Sequence, residues 1–125
     1  MADEPKSKVF DLGVIDLAPQ STIHNSFDMP FDGYVFKTDA SWPAGSNNAI
    51  GFKLIAGESI LIPANSKDSP YVADDDAAVS FFTIKKLKKG STVAVEIRNG
   101  STTNRLDLQC RVTVMNFDPR LLGRV

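Results

Sequence analysis

The sequence predicts an all-β protein, an antiparallel jelly-roll-like β-sandwich of about eight strands with no long helix. Three observations carry this. Apolar residues recur at every second position, most regularly in "STVAVEIRNGSTTNRLDLQCRVTVMNF", through Val93, Val95 and Ile97 and then Leu106, Leu108, Cys110, Val112 and Val114. Clusters of Gly, Pro, Asn, Asp and Ser punctuate the runs at short intervals. No segment sustains apolar residues at i, i+3, i+4 and i+7, the spacing a packed helix needs. At 125 residues the chain is long enough to bury a core as one domain. An immunoglobulin-like sandwich is the second arrangement that such a strand count fits.

The elements follow in order. "VFDLGVIDL" places Phe10, Leu12 and Val14 on one face and Val9, Ile15 and Leu17 on the other, so the first strand is apolar on both sides. "APQS" ends it, and "TIHNSF" resumes with Ile23 and Phe27 in phase and His24 pointing the opposite way. "MPFDG" is a break with a tight turn at Asp32-Gly33. In "YVFKTDASW" the alternation predicts an inward face of Tyr34, Phe36, Thr38, Ala40 and Trp42. "AIGFKLIAGESILIP" holds two strands meeting at Gly57, with Ile50, Phe52 and Leu54 alternating in one and Ile60 and Ile62 in the other. "PANSKDSPYVADDD" is the longest irregular stretch. "AAVSFFTIKKL" is a strand, "KKGS" a turn, and the long hairpin completes the series. Residues 1–8 form a polar N-terminal arm, residues 9–117 the sandwich, and residues 118–125 a C-terminal tail with room for one short turn at most.

Charge and composition exclude several classes of function. With 14 basic and 15 acidic residues the net charge is −1, so no global field draws the chain to nucleic acid or anionic lipid, and neither is an expected partner. "MADEPKSK" lacks the apolar core of a secretion signal, and no run approaches the roughly 18 apolar residues of a membrane span. The expectation is a soluble product made in the cytoplasm. The single cysteine, Cys110, permits no internal disulfide, and no Cys/His cluster implies a metal or other cofactor.

The candidate chemical groups are few. His24 is the only histidine, and no nucleophile-elbow pattern accompanies it. Asp74, Asp75 and Asp76 lack the spaced pattern of a calcium loop and read as a solvated loop. Lys85, Lys86, Lys88 and Lys89 crowd around Leu87 without interleaved aromatics, which suits a turn guarded against strand pairing, or an acidic protein face. Cys110 shares its phase with Leu108 and Val112 and reads as core. Asn99-Gly100-Ser101 matches a glycosylation sequon but reads as turn chemistry. Of the aromatics, Tyr71, beside Pro70 in the long loop, is the one expected to be exposed.

The termini stand apart. Met115 and Phe117 fall on the outward phase of the last strand, and the tail adds Leu121, Leu122 and Val125. That is more apolar surface than a terminal segment leaves in water. The expected protein-protein interface is therefore the arm (Ala2, Asp3, Glu4, Pro5, Lys6, Lys8), Tyr71, Met115 and Phe117, and the tail (Arg120, Leu121, Leu122, Arg124).

The cadence of "FFTIKKLKKGSTVAVEIRNGSTTNRLDLQCRVTVMNF" is a strand, a Lys/Gly turn, an alternating strand, a small polar loop and a long final strand. With the charged arm and the lone cysteine, the chain from about Val9 to Phe117 resembles the capsid decoration (cement) proteins of tailed bacteriophages. The resemblance implies a sandwich on the outside of a phage head, made in the host cytoplasm, bridging neighbouring capsomers against internal DNA pressure. It implies a homo-oligomer, a trimer by preference, partnered by the major capsid protein or another virion protein, with no catalytic residue and no cofactor. Two other classes remain open. A ligand- or carbohydrate-binding sandwich would expose aromatics around Tyr71 and Trp42. An enzyme would bring His24 within hydrogen-bond reach of a serine or carboxylate in a cleft.

Overall fold

The computed structural model describes residues 4–57, 59–63 and 71–120. Among the described residues ten strands are present: β1 (Ser7–Asp11), β2 (Val14–Leu17), β3 (Ser21–Asp28), β4 (Gly33–Trp42), β5 (Ile50–Ala56), β6 (Ser59–Ile62), β7 (Val72–Ala73), β8 (Ala77–Leu87), β9 (Thr92–Asn99) and β10 (Leu106–Met115). They form two antiparallel sheets, ordered β1-β10-β4-β8 with β2 also on β10, and β3-β9-β5-β6 with β7 also on β5. β1 and β2 occupy successive stretches of one edge of β10, and β6 and β7 do the same on β5, so the ten strands fill eight positions. Counted by position the sheets run 1-8-3-6 and 2-7-4-5, which is the jelly-roll order.

The core lies between the sheets. Val93, Val95 and Ile97 of β9 face Leu108, Cys110, Val112 and Val114 of β10, as the alternation predicts. Trp42 and Phe52 close one end, their rings 5.9 Å apart, and the Trp42 indole N–H donates to the Ile50 carbonyl at 2.9 Å. Phe10 stacks on Phe27 from the other sheet, a contact of about 1 kcal/mol beyond its area.

Three departures from simple alternation have local causes. In β4 the register shifts against both neighbours at Phe36, so Val35 takes the core position and Tyr34 and Phe36 do not, correcting the inward face read for that strand. In β2 the left-handed Asp16, at φ 60°, reverses the phase and turns Leu17 into the core while Ile15 stays outside. In β6 a shift against β5 buries Ile62 and leaves Ile60 exposed.

The break between β1 and β2 is a close approach. A Cβ on Gly13 would sit 2.5 Å from the Leu108 carbonyl oxygen, so only glycine lets the chain cross β10 there. The Asn25 amide, reaching over from β3, donates to the carbonyls of Leu12 and Gly13 at 3.0 and 3.2 Å. Asn99 does similar work at the far end. Fully buried, its amide donates to the Leu17 and Asn104 carbonyls while its oxygen accepts the Ser101 N–H, which makes the sequon a structural turn.

Candidate functional site

Because β3, β9 and β5 lie side by side in register, His24, Glu96 and Lys53 form one row across the outer face of their sheet. The Glu96 carboxylate accepts from His24 Nε2 at 2.6 Å and Lys53 Nζ at 3.0 Å, and from the hydroxyl of Tyr71. The Lys53 ammonium also lies 5.1 Å from the centre of the Tyr71 ring. Burial acts to raise the Glu96 carboxyl, but the hydrogen bonds from Tyr71, Lys53 and His24 and the Lys53 charge outweigh it and hold it down at about 2. Burial first, and then Glu96, push the Tyr71 hydroxyl up to about 12. At neutral pH such a carboxylate is a poor base and such a phenol a poor acid, so the row acts as a clamp that fastens Tyr71 to the sheet. His24 meets a carboxylate here with its own side chain 59% exposed on the open face of the sheet.

This places Tyr71 differently from its expected role. It is held by Glu96 and Lys53 of its own sheet rather than standing free in the loop. Trp42 is core, so the two aromatics make no sugar-stacking platform. The aspartate triplet is loop architecture. The Asp75 carboxylate accepts the N–H groups of Gly45 and Asn47 at 3.0 and 3.1 Å, and Asp74 accepts from Asn48 through its carbonyl. No group of three candidate metal ligands occurs among the described residues. Cys110 is fully buried, its thiol pushed up to about 12 by burial and by Asp11 and Asp39. Of the lysine cluster, Lys86, Lys88 and Lys89 are exposed, and the Lys89 N–H is held by Asp32 at 2.7 Å.

The described part of the arm docks on its own domain. Lys6 N–H donates to Asn116 Oδ1 at 2.7 Å, Asn116 N–H donates to the Lys6 carbonyl at 3.0 Å, and the Asn116 amide donates to the Glu4 carbonyl at 2.9 Å. Lys8 continues into β1 along β10, its ammonium 5.3 Å from the Phe10 ring, and Pro5 is exposed between these contacts. Met115, read as outward and open, is only 5% exposed, because it pairs with Ser7 of β1 and Tyr34 of β4. Phe117 is half-buried, and Arg120 is exposed and chelates Asp118 within a short terminal turn. Ala2, Asp3, Leu121, Leu122 and Arg124 lie outside the described residues.

What the alternation did not single out is the apolar surface at the sheet edges. On the β1/β2 edge Val9 is 57% and Ile15 84% exposed. On the opposite edge of the same sheet, β8 leaves Phe82 67% and Ile84 45% exposed, with Phe36 packed edge-on against Phe82 at 5.7 Å. The signal was present in "SFFTI", since two adjacent phenylalanines on a strand cannot both face inward. Beside β8 the sandwich opens into an apolar groove lined by Leu61, Ile62, Pro63, Val72, Phe81 and Phe82.

The sequence matches no protein-family model and no curated protein sequence. Among solved structures it is similar to the infectious bursal disease virus VP2 subviral particle, at 11% identity over 91% of this chain and 33% of that one, with a TM-score of 0.49. It is also similar to FLHE, at 8% identity over 88% and 96% of the two chains with a TM-score of 0.47. A family 35 carbohydrate-binding module from Clostridium thermocellum matches at 8% identity over 90% and 98%, with a TM-score of 0.42. The chain thus spans 33% of the length of the viral protein it matches. At these values the likenesses carry nothing about what the chain binds or does.

Proposed function

We propose that this chain is a non-enzymatic structural protein of a virus particle, a decoration protein that binds the outer surface of a phage capsid and bridges neighbouring subunits. The observation that carries the assembly role is the pair of apolar edges at opposite ends of one sheet, Val9 and Ile15 at β1/β2 and Phe82 and Ile84 at β8. A bridging protein needs two contact surfaces, and large apolar side chains left in water at sheet edges are where protein is met. The virion setting is supported by the jelly-roll strand order and by the resemblance of residues 81–117 to decoration proteins. In this reading the β1/β2 edge, with the arm fastened along β10, faces the major capsid protein. Each contact adds a modest energy, and a closed lattice multiplies it.

The test is rate-zonal sedimentation of native source material, with fractions probed for this chain. Recovery in a megadalton particle is the expected result. Recovery only as a monomer or small oligomer would overturn the virion role. A sugar-binding sandwich needs an open aromatic platform, and neither Trp42 nor Tyr71 offers one.

A further inference from the structure

β8 is the outermost strand of its sheet: β4 pairs with one edge, and among the described residues no strand pairs with the other. A bare edge presents a row of N–H and C=O groups that a further strand can bond, and proteins block this with charges spread along the edge. Here the charges are sorted to the ends. Asp74, Asp75 and Asp76 precede the strand, Lys85, Lys86, Lys88 and Lys89 close it, and Ser80, Phe81, Phe82, Thr83 and Ile84 fill the middle. A parallel copy of such a strand is repelled at both ends, whereas an antiparallel copy sets acid against lysine twice.

We propose that β8 pairs antiparallel with β8 of a second copy of this chain across a two-fold axis, in the register that sets Phe82 opposite Phe82. That register centres the strand on itself, Ala77 opposite Leu87. The side chains on the exposed face, Ala78, Ser80, Phe82, Ile84 and Lys86, then meet their counterparts on one face, with the exposed Asp76 facing Lys88. A slip of two residues moves Phe82 onto Ser80 in one direction and onto Ile84 in the other, and either one forfeits the aromatic pair. The irregularity of β8 against β4 falls between Phe82 and Lys85, and the alternation of exposure continues through it.

A two-fold contact uses one patch twice, which is what a self-complementary strand provides. It joins two copies of the β1-β10-β4-β8 sheet into one continuous sheet with a β1/β2 edge at each end. The inference deepens the assembly role and rests on it in one respect: those two outer edges become the two capsid contacts of a bridging unit. A two-fold dimer takes the place of the trimer that the resemblance implies.

The test is the mass of the full chain in solution by light scattering or sedimentation equilibrium at micromolar concentration, where a dimer is expected. Phe82→Lys changes an exposed side chain and should weaken the dimer about tenfold or more with the unfolding midpoint retained. Lys86→Glu combined with Lys88→Glu should weaken it at low salt. Phe82→Cys should form a disulfide-linked dimer on oxidation, the buried Cys110 taking no part, while Ile15→Cys should not. A monomeric wild-type chain, or a dimer indifferent to Phe82→Lys and uncrosslinked through position 82, overturns the proposal. The two readings fail separately. Loss of the dimer with particle binding intact refutes only the β8 contact, and a β8 dimer that never sediments with particles refutes only the virion role.

Discussion

Leu108→Ala tests the register on which the sandwich is built. Leu108 is fully buried on β10, opposite Val14 of β2. The substitution removes three carbon groups from the core, about 2.4 kcal/mol at ~0.8 kcal/mol per buried methylene. A cavity term adds to this, and its size depends on how far the surroundings collapse. Collapse is restricted here, because β10 is bonded to β1 and β2 on one edge and to β4 on the other, and its backbone touches the crossing at Gly13. The expected loss is therefore about 3 to 4 kcal/mol, within the range measured for buried leucines. Urea unfolding should show the midpoint falling with an unchanged slope. Gln109→Ala, at the exposed neighbouring position, should cost no more than about 0.5 kcal/mol. A Leu108→Ala loss below about 1 kcal/mol, or a larger loss at Gln109, would mean that the strand faces the other way.

Three further outcomes are expected. The Glu96 carboxyl lies at about 2 in the folded chain against an ordinary 4.5, so its stabilising effect is complete above the ordinary value and is lost as pH falls through the interval between them; Glu96→Gln should flatten the acid limb of a stability-pH curve in that interval, and an unchanged limb would show that the clamp adds nothing. Thr38 is buried on the core side of β4 and its hydroxyl has no hydrogen-bond partner among the described residues, so Thr38→Val should raise stability by about 1 kcal/mol in urea unfolding, and a loss of stability would refute the assignment. Asn116→Ala removes the two side-chain bonds to Glu4 and Lys6 while keeping the backbone bond to the Lys6 carbonyl, and should speed amide exchange and protease cleavage in the arm while leaving the β9 and β10 amides protected; unchanged arm exchange would show that backbone pairing alone holds it.

Much of the architecture was legible because the alternation of side chains along a strand is a local property. Val93 to Ile97 and Leu106 to Val114 could be assigned to the core from spacing, and the small polar residues between them marked the turn that Asn99 organises. The errors fell where one residue changes the phase. Nothing in "YVFKTD" distinguishes a regular strand from one that carries an extra residue at Phe36 against β10, while β8 carries the extra residue against β4, because a bulge is set by how neighbouring strands lie together. Met115 was misplaced for a similar reason, its cover coming from Ser7 and Tyr34, distant in sequence and adjacent only once β1 and β4 flank β10.

The sequence by itself determined the class of fold, the alternating core and the scarcity of reactive groups, since each follows from residue type and short-range spacing. Only the tertiary structure decided that His24, Lys53, Tyr71 and Glu96 meet, because strands far apart in the chain must first lie in register. The same holds for β8, whose apolar middle is visible in the sequence. Its standing as an open edge comes from strand order, which long-range pairing sets and no local pattern encodes.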